Sequence, residues 1–195
     1  VEHLLDAGSI FASKVSMAGN RVAIITTSGG SGILGTDALE KCGLTLAKLS
    51  LKTTEALDQI VPSYGNTSNP VDVTAAVMSA PDLFEKCVEV LAKDPEVDAI
   101  VATFCVLVGS DVDRIANALS AVRSVREIPV VVARTGSQSL APEADKLFKA
   151  AKLPVFPWKS NPHAPVSPHN SFSLLPRPPS PPLTAAVALP SWQPP

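Results

Sequence analysis

The chain has 195 residues, a formal net charge of −2 and 17% charged against 46% hydrophobic residues, which is enough for one ordinary domain of about 100–150 residues with sequence to spare. It has no basic cluster of the kind a nucleic-acid binder needs, and no apolar run reaches the roughly 20 residues of a bilayer span. Val1 to Asp6 carry an acid and no basic run, so the start reads as sequence cut from something longer rather than a signal peptide, and a cytoplasmic setting is expected.

In chain order, residues 2–15 read as a lead-in helix or linker from an upstream domain. Strands are expected near 21–27, 45–50, 97–104, 128–134 and 153–156. Helices are expected near 33–43, 53–60, 80–93, 111–125 and 140–151. The strand segments, such as Ala99-Ile100-Val101-Ala102-Thr103-Phe104, are short and almost continuously apolar, the pattern of strands buried on both faces. Residues 82–91 show the i, i+3, i+4 spacing of an amphipathic helix. This alternation predicts an α/β domain over 16–157 with a doubly wound, five-stranded parallel sheet of flavodoxin type. From Trp158 onward proline and serine dominate, and proline lacks the N–H that a helix or central strand requires. Residues 158–195 are therefore expected to form a largely disordered tail.

Ligands of such sheets bind at the carboxyl ends of the strands. The loop after the first strand, Ser28-Gly29-Gly30-Ser31-Gly32, leads into a helix. Glycines permit close backbone approach, and free N–H groups in the first turn attract an anion, so phosphate is the expected ligand. A glycine-softened turn that serves only packing is the alternative. Residues 103–110 after the third strand and 134–138 after the fourth are expected to come together at the same edge.

Residues 61–74 form a long polar connection in a domain of short ones, and long ordered loops tend to be functional. Asn69 precedes Pro70 and is held extended, leaving its amide and the Asp72 carboxylate to bond a ligand or neighbouring backbone. An Asx-type turn closed on the loop itself is equally consistent. Cys42, Cys87 and Cys105 are widely spaced with no C-x-x-C pair, so they read as small buried hydrophobes, and no metal site is expected.

Taken together, Gly19 to Gly32 with its glycine loop, Asp37-Ala38-Leu39-Glu40, Gly43-Leu44, Asn69-Pro70-Val71-Asp72-Val73-Thr74, Val97-Asp98-Ala99-Ile100 and Leu153-Pro154-Val155-Phe156-Pro157 resemble the last flavodoxin-like domain of NDP-forming acyl-CoA synthetases. These are the ADP-forming acetate–CoA ligases, relatives of succinyl-CoA synthetase. The resemblance implies a ligase that interconverts acyl-CoA, phosphate and NDP with acid, CoA and NTP. The reaction would pass through an acyl phosphate and a phosphohistidine that swings to an ATP-grasp module. In this reading Ser28, Gly29, Gly30, Ser31 and Gly32 hold the phosphoryl group, and Asn69, Pro70, Asp72, Thr74, Phe104, Arg134 and Gly136 line the ligand. CoA, ATP or ADP and phosphate are substrates of the complete enzyme, with no tightly bound cofactor. CoA-binding and ATP-grasp domains or subunits are the implied partners.

The family's phosphorylated histidine follows an S-H-T-G-type pattern that His3, His163 and His169 do not match, so no catalytic residue is assigned and the segment alone is expected to be inactive. Two other readings stand beside this one. Gly30-Ser31-Gly32-Ile33-Leu34-Gly35 satisfies the G-x-G-x-x-G dinucleotide pattern, but the second strand lacks the acid that should close on the ribose. A non-catalytic interaction module of the same fold would suit an apolar lead-in helix.

Overall fold

The computed structural model of the chain describes residues 16–80, 82–104, 109–134 and 142–157. The strands are β1 (Arg21–Thr26), β2 (Thr45–Leu46), β3 (Val71–Asp72), β4 (Ala99–Phe104), β5 (Val130–Arg134) and β6 (Val155–Pro157). The helices are α1 (Gly29–Lys41), α2 (Leu51–Asp58), α3 (Leu83–Lys93), α4 (Ser110–Val125) and α5 (Ala144–Ala150), with a 3-10 turn over Thr74–Met78. All strand pairings are parallel, and the order is β2-β1-β4-β5-β6, with β3 also beside β1. The expected parallel α/β sheet is present, with β3 as an additional short strand.

β2 and β3 share one edge of β1 in tandem. Arg21 and Val22 pair with Thr45 and Leu46, while Ile25 and Thr26 pair with Val71 and Asp72. The second strand is thus shorter than the expected 45–50. After Ala47 donates its N–H to Val22 O at 2.9 Å, the chain turns towards α2, whose Ser50 side chain caps the helix by accepting from Thr53 N.

The strands separate two apolar layers. On one face Ile25, Ile100, Ala102, Phe104 and Val132 meet Leu57, Phe84, Leu91, Ile115, Leu119 and Phe148 of α2 to α5. On the other, Val22, Ile24, Ala99 and Val101 meet Ala38 and Leu39 of α1. Each large side chain buried in this way is worth about 1.5–3 kcal/mol relative to exposure. Cys42 and Cys87 are buried, as expected, and burial pushes the Cys87 thiol up to about 12; Cys105 lies outside the described residues.

At the amino ends of the strands the buried Asp98 accepts from Arg21 N at 3.0 Å, Nε at 2.8 Å and Nη2 at 3.0 Å. The Arg21 guanidinium beside it holds the Asp98 carboxyl below the usual carboxylate range. Asp94, also buried, accepts from Ser50 N and Glu96 N at 2.9 Å each. Burial opposes ionisation of Asp94, but hydrogen bonds from Glu96 and Ser50 outweigh it and leave the carboxyl below its ordinary value. These two acids pin the end of the sheet opposite the candidate site.

Candidate functional site

The carboxyl edge of the sheet is set by register. Asp72 pairs with Thr26, Thr26 with Thr103, and Thr103 with Ala133, so these residues form one row across four strands. α1 rises from the end of β1 beside this row. The Thr26 hydroxyl accepts from Ser28 N at 3.0 Å and donates to Ser28 O at 2.9 Å, closing a tight turn that starts the helix. The helix therefore begins at Gly29, four residues before the expected start near 33.

This early start changes the role of the glycines. None of Gly29, Gly30, Gly32 and Gly35 has a positive φ; among the described residues only Gly43 and Gly109 do so as glycines. The N–H groups of Gly29 and Gly30 open the helix and have no acceptor among the described residues. Gly32, expected among the donors, already gives its N–H to Ser28 O at 3.1 Å. A Cβ on Gly32 would lie 3.1 Å from Pro70 Cβ and 3.2 Å from Thr26 Cγ2, and one on Gly35 would lie 3.1 Å from Ile24 Cδ1. Packing therefore accounts for Gly32 and Gly35, whereas a Cβ on Gly30 would come no nearer than 4.0 Å to Ser28 Oγ. Ser31 is buried within the first turn, and the Ser28 side chain makes no cap to the helix.

The loop containing Asn69 to Thr74 packs beside this helix end. Asn69 Oδ1 accepts from Ile24 N at 2.8 Å, and Nδ2 donates to Val22 O at 2.8 Å and Ala47 O at 3.0 Å. The side chain is thus committed to the backbone between β2 and β3. Asp72 Oδ1 accepts from Thr74 N at 2.8 Å, an Asx-type turn. The other oxygen, Oδ2, lies 3.1 Å from the position of a Cβ on Gly29, placing a carboxylate at the mouth of α1. Thr74 has φ +58, an uncommon backbone for a β-branched residue, and its Oγ1 accepts from Ala76 N at 3.2 Å.

Two expected lining residues have partners within the described residues. Phe104 points into the core, with its ring centroid 5.3 Å from that of Phe84. Arg134 stands at the end of β5, but its Nη1 donates to Asp145 Oδ1 of α5. Gly136 lies outside the described residues. Sequence reasoning also missed Arg114, whose Nη2 donates to Val77 O and Asp111 Oδ1 at 3.0 Å each and ties α4 to the 3-10 turn. Thr103, which opens the 103–110 segment expected at this edge, has a buried Oγ1 with no hydrogen-bond partner among the described residues.

The family described as "Ligase-CoA domain" matches residues 22–169. The chain belongs to the Ligase-CoA domain family. This Ligase-CoA domain is 36% identical over 110 residues to subunit alpha of acetate–CoA ligase [ADP-forming] II of Pyrococcus furiosus, covering 56% of this chain and 24% of that one. It is 28% identical over 156 residues to acetate–CoA ligase [ADP-forming] I of Archaeoglobus fulgidus, covering 80% of this chain and 21% of that protein. The crystal structure of PH0766 from Pyrococcus horikoshii OT3 superposes with a TM-score of 0.71 at 26% identity, over 90% of this chain and 38% of that one. The dinucleotide-forming acetyl-coenzyme A synthetase 1 of Ca. Korarchaeum cryptofilum, in complex with phosphate and ADP, has the same fold, with a TM-score of 0.71 at 21% identity over 90% of this chain and 36% of that one. The chain spans about a quarter of the length of the first two curated relatives.

The dinucleotide reading loses ground on the same geometry. β2 ends at Leu46, and the next acid, Glu55, lies inside α2 rather than at a strand end. Among the described residues no group of three or more His, Cys, Asp or Glu is placed to hold a metal, and no helix is long and apolar enough to cross a membrane.

Proposed function

We propose that this Ligase-CoA domain is the phosphate- and phosphohistidine-binding part of an NDP-forming acid–CoA ligase. The observation that carries this reading is the amino end of α1, where the N–H groups of Gly29 and Gly30, without an acceptor among the described residues, stand beside the Asn69 to Thr74 loop in a chain of this family. Phosphoryl transfer depends on placement and electrostatic stabilisation, and helix-end donors supply both without proton chemistry.

In the proposed cycle, phosphate attacks the acyl-CoA carbonyl and expels CoA as the thiolate, forming an acyl phosphate. A histidine then takes the phosphoryl group and releases the acid, and the phosphohistidine passes it to NDP. The α1 end would hold the phosphoryl oxygens in the first two steps. The histidine, the CoA pocket and the nucleotide site would come from partner domains or subunits. The Asp72 carboxylate opposes an unneutralised anion at that position, so binding by this domain alone is expected to be weak and to tighten when a partner closes over it.

Reconstitution with CoA-binding and ATP-grasp partners tests the proposal: ATP formation from acetyl-CoA, ADP and phosphate should require this chain. Activity without it would contradict the reading. A non-catalytic docking module is the second reading, favoured by Ile33 and Leu34, which are 65% and 50% exposed on α1 next to the site. It predicts that the chain supports assembly of the complex and that phosphate leaves the Gly29 and Gly30 amides unmoved.

A further inference from the structure

α3 and α4 pack side by side in the apolar layer that lies across the sheet from α1. Neighbouring helices ordinarily close the seam between them with interdigitating side chains. Here small residues leave it unfilled. Ala118 and Ala121 of α4, with Val88 of α3 and Val122 and Val125 of α4, line an open groove of about 330 Å³. Val125, the last residue of α4, is 40% exposed there. Apolar atoms that face empty space lack dispersion partners on that side, so an aliphatic side chain entering from outside gains contacts without displacing any side chain of this domain.

The rim of the groove carries one sign of charge. Glu85 and Glu89 of α3 both border it, and among the described residues no lysine, arginine or histidine does. Glu89 pairs with Lys93 of its own helix, whereas the half-buried Glu85 carboxylate has no ion pair among the described residues. Like charges four residues apart on a helix disfavour each other. A cation set against the pair removes that cost, and an anion brought there is repelled.

We propose that this groove docks a helix of a partner domain or subunit of the ligase, one that inserts an aliphatic side chain over Ala118 and Ala121 and sets a lysine or arginine against Glu85 and Glu89. Along α4 the lining runs from Asn117 to Val125, about 12 Å at about 1.5 Å per residue. That is two turns, which suits the i, i+3, i+4 anchors of a helix laid in an apolar groove. A small molecule fits less well, because its sites bury most of its surface and this groove is open. The identity of the partner rests on the proposed ligase reading, and the relatives matched over about a quarter of their length carry further sequence that has to pack against such a domain. Since α3 and α4 lie across the sheet from α1, a partner seated here leaves the Gly29 and Gly30 amides uncovered.

The test is the affinity of the full chain for its CoA-binding and ATP-grasp partners, measured by calorimetry and sedimentation. Ala121→Trp, which fills the groove, and Glu85→Lys, which reverses its charge, should each weaken association about tenfold or more. Glu85→Gln should weaken it less, and the effect of Glu85→Lys should shrink at high salt. Thermal melts of the variants alone should match the parent, with Ala121→Gln taking the place of Ala121→Trp if the larger side chain disturbs the fold. Unchanged affinity in an assembly that still forms ATP would overturn the docking proposal and leave the ligase reading standing. Weakened affinity in an assembly that forms no ATP would support the docking surface and contradict the ligase reading. No association of the parent chain would overturn both. Self-association of the parent chain that these variants abolish would make a second copy the occupant and overturn the proposal.

Discussion

The Asn69 carboxamide stands beside Ile24 as a substitute for a strand residue. Its Oδ1 accepts from Ile24 N at 2.8 Å while Nδ2 donates to Val22 O at 2.8 Å and Ala47 O at 3.0 Å, bridging the gap between β2 and β3 along the edge of β1. Ile24 is fully buried, so its N–H has no water to fall back on.

Replacing Asn69 by Ala should therefore cost about 3 kcal/mol, the scale of leaving buried backbone groups unpaired. Asn69→Asp should be no better, because a carboxylate can accept from Ile24 but cannot donate to the two carbonyls. Urea unfolding of both variants checks this. An aspartate variant as stable as the parent would mean that the two donated bonds contribute little.

β1, β4 and β5 were legible in the sequence because a run such as Ile100-Val101-Ala102 buried on both faces leaves little choice of element. α3 was legible because Phe84, Cys87, Val88 and Leu91 repeat at helical spacing and all are buried. β3 was not, since two residues carry no periodicity and their place is fixed by Asn69 bonding to Ile24, a partner 45 residues away. The start of α1 was misplaced because glycine is a poor helix former, whereas the Thr26 hydroxyl bonds that close the turn join residues whose sequence says nothing of their geometry. The position of the candidate site at a strand end followed from the fold class. The inward turn of Phe104 and the pairing of Arg134 with Asp145 depended on tertiary contacts that no local pattern encodes.

The glycines of α1 should separate by role. Gly30→Ala places a methyl in open space on helical backbone and should stabilise the domain by up to about 1 kcal/mol. Gly32→Ala pushes against Pro70 and Thr26 at 3.1 and 3.2 Å and should destabilise it by about 1–2 kcal/mol. Thermal melts of the pair should move in opposite directions.

Two helices end in the same way with different residues. After α1, Gly43 N donates to Glu40 O and Leu44 N to Leu39 O; after α5, Lys152 N donates to Lys149 O and Leu153 N to Phe148 O. Gly43 has φ +73 and Lys152 has φ +58, and glycine is the residue that takes this backbone without strain. Lys152→Gly should raise stability by about 1 kcal/mol, and Gly43→Lys should lower it by a similar amount. Chemical denaturation of the two variants measures both.

Asp98 links stability to pH. Its carboxyl is held below the usual range chiefly by the hydrogen bond from Arg21, so its contribution is complete above the ordinary aspartate value of about 3.9 and is lost as pH falls towards the depressed folded value. Asp98→Asn should lower stability at neutral pH by about 2 kcal/mol, the scale of charge-assisted hydrogen bonds, and flatten the acid limb of the stability profile. Gly19→Ala, whose Cβ would lie 2.3 Å from Asp98 Oδ2, should displace the carboxylate and flatten the same limb. Urea midpoints measured between neutral pH and pH about 3 follow both effects.

Phosphate titration of the full chain by amide NMR tests the proposed phosphoryl site most directly, with Asp72→Asn as its companion. The account predicts weak, saturable shifts centred on the Gly29 and Gly30 amides. It also predicts tighter binding by Asp72→Asn, which removes the negative charge beside Gly29 while an amide oxygen can still accept from Thr74 N. Shifts confined to residues far from the start of α1, or no response to phosphate in either protein, would contradict it.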